Sequence, residues 1–138
     1  LGDVYKRQEQ TITGDSIGEL PINKDSQFAT TSAFPDQFFY TVDSKVYLFN
    51  VASLETYELY DAGSPITKMQ FRITEDHQLT EEWNYMQRCL ALAVDKGDKG
   101  ELHELTLTTA GDIETSRIFE GFGPIKDMCF TFINRIQR

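Results

Sequence analysis

Apolar residues in this chain gather into short blocks and do not recur at helical spacing. Phe38 to Val42, Val46 to Val51 and Tyr57 to Tyr60 are rich in aromatic and β-branched residues, and Leu90 to Val94, Leu102 to Leu107 and Arg117 to Phe119 repeat the pattern less strongly. Each block therefore predicts a strand. Between them, Asp43-Ser44-Lys45 and Lys96-Gly97-Asp98-Lys99-Gly100 carry hairpin chemistry, because Asp and Gly tolerate the positive φ that tight turns require. The order predicts antiparallel meanders. Phe38-Phe39-Tyr40 and Cys89-Leu90-Ala91-Leu92-Ala93-Val94 are almost continuously apolar, as strands covered on both faces are, so sheets are expected to stack on sheets.

The strand pattern occurs twice. Pro65-Ile66-Thr67-Lys68-Met69-Gln70-Phe71 returns as Pro124-Ile125-Lys126-Asp127-Met128-Cys129-Phe130, each copy after a glycine-containing turn, and Tyr40-Thr41-Val42-Asp43 returns as Leu92-Ala93-Val94-Asp95. The second unit is longer by seven residues, which fall at turns. Four strands per unit of this size predict an all-β fold of antiparallel four-stranded meanders arranged as two to three β-propeller blades. The units are expected at about 28–63 and 65–123, with the next blade starting at 124–133. A β-sandwich is the alternative, since it also uses short strands at this spacing. Closed propellers need about 4–8 blades, so the reading is an open arc, a fragment of an incomplete propeller with unpaired edges that favour association.

Composition narrows the function classes. Hydrophobic residues make up 40%, enough for a core, and no apolar run reaches the length that spans a bilayer. The net charge of −9 argues against nucleic acid, whose phosphates call for basic surfaces. Acidic clusters such as Glu75-Asp76 and Glu81-Glu82 read as solvated loops that aid solubility. Residues 1–10 are set apart as a non-native or disordered segment. They show neither a signal peptide nor a lipobox, and Asp3-Val4-Tyr5-Lys6-Arg7-Gln8 resembles translated sequencing-adapter read-through of the kind seen in metagenomic open reading frames. Residues 11–138 form the partial propeller.

Phe28-Ala29-Thr30, the run Phe38 to Tyr47, the Pro65-Ile66 strand and Glu120-Gly121-Phe122-Gly123-Pro124-Ile125-Lys126-Asp127 together resemble the C-terminal propeller portion of the PKD-like family of Bacteroidota surface lipoproteins. The resemblance spans most of 26–133 and rests on turns and strands. It implies a bacterial parent protein, lipid-anchored at the cell envelope, with immunoglobulin-like modules upstream. It carries over no catalytic residue.

The chemistry-bearing residues form no catalytic constellation, so no enzyme activity, cofactor or metal is expected. Asp95, Asp98 and Glu101 miss the alternating ligand spacing of an EF-hand loop and sit among lysines, which favours a hairpin turn. Cys89 and Cys129 are expected as free thiols, with Cys129 on the less buried side of its strand. His77 and His103 are isolated and are expected on a loop and a strand surface. Residues 75–88 depart from the meander: Thr80-Glu81-Glu82 would cap a short helix, and Trp83 and Tyr85 on that insertion are the ligand-contact candidates, with simple anchoring of the loop as the rival role for Trp83. The function expected is a non-enzymatic binding or scaffolding module for a protein or glycan, partnered by the remaining blades of the parent chain. The alternative is a fragment of a propeller polysaccharide lyase or glycoside hydrolase, whose paired carboxylates would converge in a concave site.

Overall fold

A computed structural model describes residues 20–72 and 88–130 of the chain. Among them the protein is all-β, with no helix. Its strands are β1 (Phe28–Ala29), β2 (Gln37–Val42), β3 (Lys45–Asn50), β4 (Glu55–Asp61), β5 (Ile66–Arg72), β6 (Cys89–Asp95), β7 (Gly100–Leu107) and β8 (Ile113–Phe122). They form two antiparallel four-stranded sheets in sequence order, β1-β2-β3-β4 and β5-β6-β7-β8, neither of them closed.

Turn chemistry places the hairpins. Asp43 takes a φ of 55° between β2 and β3, and Gly97 takes 87° between β6 and β7, its N–H held by the Asp95 carboxylate at 2.8 Å. After β4 and within β8, Gly63 and Gly121 both adopt left-handed φ, at 79° and 94°, just ahead of the two matching Pro-Ile pairs. The edge strands β4 and β8 are longer than their apolar blocks. Backbone pairing with β3 and β7 carries them on through exposed polar residues such as Glu55 and Glu114.

The core lies between the sheets. Paired residues share a face of the sheet, so sheet 1 turns Phe39, Val46, Leu48 and Tyr60 inward, and sheet 2 answers with Met69, Phe71, Leu90, Leu92, Leu105 and Leu107. Phe39 and Phe71 meet edge to face with ring centroids 5.0 Å apart. β6 is buried along Cys89 to Val94, as its continuous apolar run predicts.

The Pro-Ile motif leads each sheet. Pro65-Ile66 enters β5, with the Pro65 carbonyl accepting from Asp95 N–H and Ile66 N–H donating to the Asp43 carbonyl, so the crossover is tied to the β2–β3 turn. A third occurrence, Pro21-Ile22-Asn23-Lys24, leads into β1. This stretch runs along β2: the Asn23 amide reaches Asp43, and Gln27 exchanges bonds with Thr41. The copy at 124–130 differs from expectation, since it forms no strand. β5 is held by β6, whereas no following strand is present among the described residues to hold 124–130. Instead it turns back over β7, close enough that a Cβ added to Gly100 would lie 2.7 Å from the Gly123 carbonyl and 3.0 Å from Ile125.

Candidate functional site

The β6–β7 turn and the end of β8 enclose a cleft of about 590 Å³, lined by Lys96, Asp98, Lys99, Glu101, Glu120 and Phe122 together with backbone from three glycines. Its wall is mixed in charge, with two lysines among three carboxylates, and Phe122 adds a ring that is 43% exposed.

Beneath the cleft a hydrogen-bonded chain runs into the core. Glu101 and His103 are two apart on β7 and so share a face. Glu101 Oε1 lies 2.9 Å from His103 Nε2, and His103 Nδ1 lies 2.7 Å from the Tyr60 hydroxyl on β4. With Glu101 ionised, Nε2–H donates to the carboxylate, and in the neutral imidazole Nδ1 then accepts from the Tyr60 O–H. The bond from His103 holds the Glu101 carboxyl below its ordinary pKa, and Lys96 3.8 Å away adds to the effect. Burial, with the charge of Glu101 behind it, pushes the Tyr60 phenol up. His103 is 2% exposed, which corrects the expectation of a strand-surface histidine. Taken singly, between Leu102 and Glu104, it reads as a polar residue on a strand surface. The signal that finds it is the Glu-x-His spacing, which sets both side chains on one face of β7.

On the opposite face of sheet 2, Arg72 pairs with Glu104, and Cys89 Sγ lies 3.7 Å from the same carboxylate. Burial is the main reason that the Cys89 thiol is pushed up to about 11, so the pairing does not activate it. Both cysteines are free, Cys89 buried and Cys129 exposed. The outer face of sheet 1 is aromatic: Tyr40 stacks on Tyr47 with centroids 5.3 Å apart, and Phe38 packs on Phe49 at 5.0 Å.

Trp83, Tyr85, His77 and the short helix expected around them lie outside the described residues. Among the described residues no group of three or more His, Cys, Asp or Glu side chains could hold a metal ion, and no helix is long and apolar enough to cross a membrane. No family model, curated protein or solved structure matches the chain.

Proposed function

We propose that the chain is a non-enzymatic binding or scaffolding module of a bacterial cell-surface lipoprotein, in which the two sheets are consecutive β-propeller blades and the remaining blades belong to the parent chain. The module recognises a protein or a glycan. The resemblance to the PKD-like family supports the lipoprotein and envelope setting.

One observation carries the blade reading: the sheets pack through opposite faces of the same repeat. Phe39 of β2 points into the interface, yet its counterpart in the second unit, Ala91, points out, and Leu90 and Leu92 point in. Successive propeller blades stack head to tail in this way. A sandwich made by pairing equivalent faces would instead bury Phe39 and Ala91 together.

The enzyme reading draws on the cleft, where Asp98, Glu101 and Glu120 line one concave wall. Glu101 is held towards its ionised form by His103, the reverse of the raised pKa that a general acid needs. The mixed charges and the exposed Phe122 ring suit recognition instead, since carboxylates accept bonds from sugar hydroxyls and an aromatic ring stacks on apolar ring faces.

Affinity electrophoresis through gels holding individual bacterial and host polysaccharides tests this, with new reducing ends and unsaturated products assayed in the same samples. Retardation without bond cleavage, weakened by Phe122→Ala at the cleft and by Trp83→Ala or Tyr85→Ala, is the expected result. Release of shortened or unsaturated chains would establish the enzyme reading instead.

A further inference from the structure

The two sheets correspond strand by strand, and the correspondence identifies, on each sheet's outer face, the counterpart of the contact made between the sheets. Aligning Tyr40 with Leu92 and following the cross-strand partners matches Tyr47 to His103, Phe49 to Leu105 and Tyr60 to Phe119. Inside the chain, the contact between the outer strands is Tyr60 of sheet 1 against His103 of sheet 2, with ring centroids 5.8 Å apart. Sheet 2 therefore presents, on its outer face, the counterpart of the Tyr60 side of that contact. That counterpart is Phe119, 38% exposed. Sheet 1 presents, on its own outer face, the counterpart of the His103 side, which is Tyr47, half-buried and stacked on Tyr40.

We propose that, for the chain of residues 1–138 by itself, a second copy takes the place that neighbouring blades of the parent chain would hold, with Phe119 of one copy packing on Tyr47 of the next, head to tail. The internal interface argues for this occupant at the outer strands, because the register position of Tyr60 already packs on that of His103 within the chain, while nearer the sheet centre the counterparts of Phe39 and Leu48 are Ala91 and the Arg72-paired Glu104. The substitutions at the two sites also match. Where the internal pair is a phenol hydrogen-bonded to an imidazole, the pair between copies has lost the hydroxyl on one side and the imidazole on the other, leaving two aromatic rings that need no polar partner across the contact. Arg117 lies two residues before Phe119, on the same face of exposed β8, and Glu58, exposed on β4 and 2.8 Å from Lys45, pairs directly across from Tyr47. The contact uses the outer strands β7 and β8 of one copy and β3 and β4 of the other, away from residues 123–125, which fold over the Gly100 end of β7.

A contact of this type is heterologous, so it propagates and closes only as a ring. Sheets arranged at propeller geometry close at about 4–8, which corresponds to about two to four copies if each contributes only its two described sheets.

Sedimentation velocity over a concentration series reads the association directly. The full chain is expected to rise from the single-chain mass of 15.8 kDa by at least about twofold. Phe119→Asp and Tyr47→Asp should each hold it at the single-chain mass, while Ile118→Asp, on the neighbouring exposed residue whose side chain points to the other face, should leave association unchanged. Mixing the Phe119→Asp and Tyr47→Asp proteins gives a further readout, because each keeps the face the other has lost: a one-to-one complex is expected. Cooperative unfolding of each variant shows that it is folded, and Tyr47→Ser replaces Tyr47→Asp if the charge prevents folding. A single-chain mass for the unmodified, folded protein at every concentration overturns the proposal, as does loss of association in Ile118→Asp, or failure of the two single-face variants to combine. The inference rests on the stacked-repeat part of the proposed function, but a single-chain mass would leave the packing of the two sheets within the chain untouched.

Discussion

His103 uses one ring nitrogen to reach Glu101 on its own strand and the other to reach Tyr60 on the facing sheet, so an apolar replacement strands the Tyr60 hydroxyl as well as removing two bonds. His103→Leu is expected to lower the unfolding free energy by about 1–3 kcal/mol, and Tyr60→Phe by about 0.5–1.5 kcal/mol, measured by urea denaturation. The pH dependence follows from Glu101. Its carboxyl lies below the ordinary range in the folded protein, so its contribution is complete above that range and is lost as pH falls through the folded value. Glu101→Gln should therefore flatten the acid limb of stability, and an unchanged acid limb would show that other carboxylates set it. Cysteine chemistry separates the two thiols. Near pH 8, iodoacetamide should label exposed Cys129 while the folded chain protects Cys89, whose thiol is pushed up to about 11 by burial. Labelling of both at equal rates would mean that β6 is not buried. At the β3–β4 turn, Leu54 takes a φ of 60° and is exposed, a conformation that costs a side-chain-bearing residue about 1–2 kcal/mol. Leu54→Gly is expected to raise stability by a few tenths of a kcal/mol to about 1 kcal/mol, after the entropy that glycine adds to the unfolded chain.

At the scale of elements, the second Pro-Ile segment is anchored at a point where glycine is the only residue that fits. Gly100→Ala places a methyl against the Gly123 carbonyl, a backbone atom that cannot rotate away, and should cost about 1–3 kcal/mol, read by urea denaturation. Unchanged stability would show that the segment does not rest on β7. Most strands were legible because their composition and their place in the fold agree: β6 is apolar and buried along Cys89 to Val94, the apolar residues of β2, β3 and β7 mark most of the buried positions, and the turns between these strands carry Asp and Gly where positive φ occurs. β1 was not legible. It is two residues long, its hydrophobic Phe28 is exposed, and most of the chain between Pro21 and Phe28 is polar and pairs irregularly with β2. Its signal was present as a third Pro-Ile followed by Lys two residues later, matching Pro65-Ile66-Thr67-Lys68, but spaced from Phe28 by one residue more than in β5. His103 escaped for a related reason. Read singly it is a polar residue in a strand; read with Glu101 it is one of a same-face pair, and only the packing of sheet 1 supplies Tyr60 to complete the chain.

For the whole molecule, the repeated sequence and the repeated structure agree on the unit but differ in what the unit faces. Leu90, Leu92, Leu105 and His103 bury one face of sheet 2 against sheet 1, whereas their counterparts Phe38, Tyr40, Phe49 and Tyr47 form sheet 1's outer face. This asymmetry distinguishes stacked repeats from a sandwich of equivalent faces, and both the blade reading and the contact between copies depend on it. Aromatic proton NOEs from Phe71 test it most directly. Phe71 should give strong NOEs to the Phe39 ring, 5.0 Å away between centroids, and none to Phe38 or Tyr40. NOEs from Phe71 to Phe38 or Tyr40, with Phe39 silent, would mean that sheet 1 packs through its other face and would contradict the account.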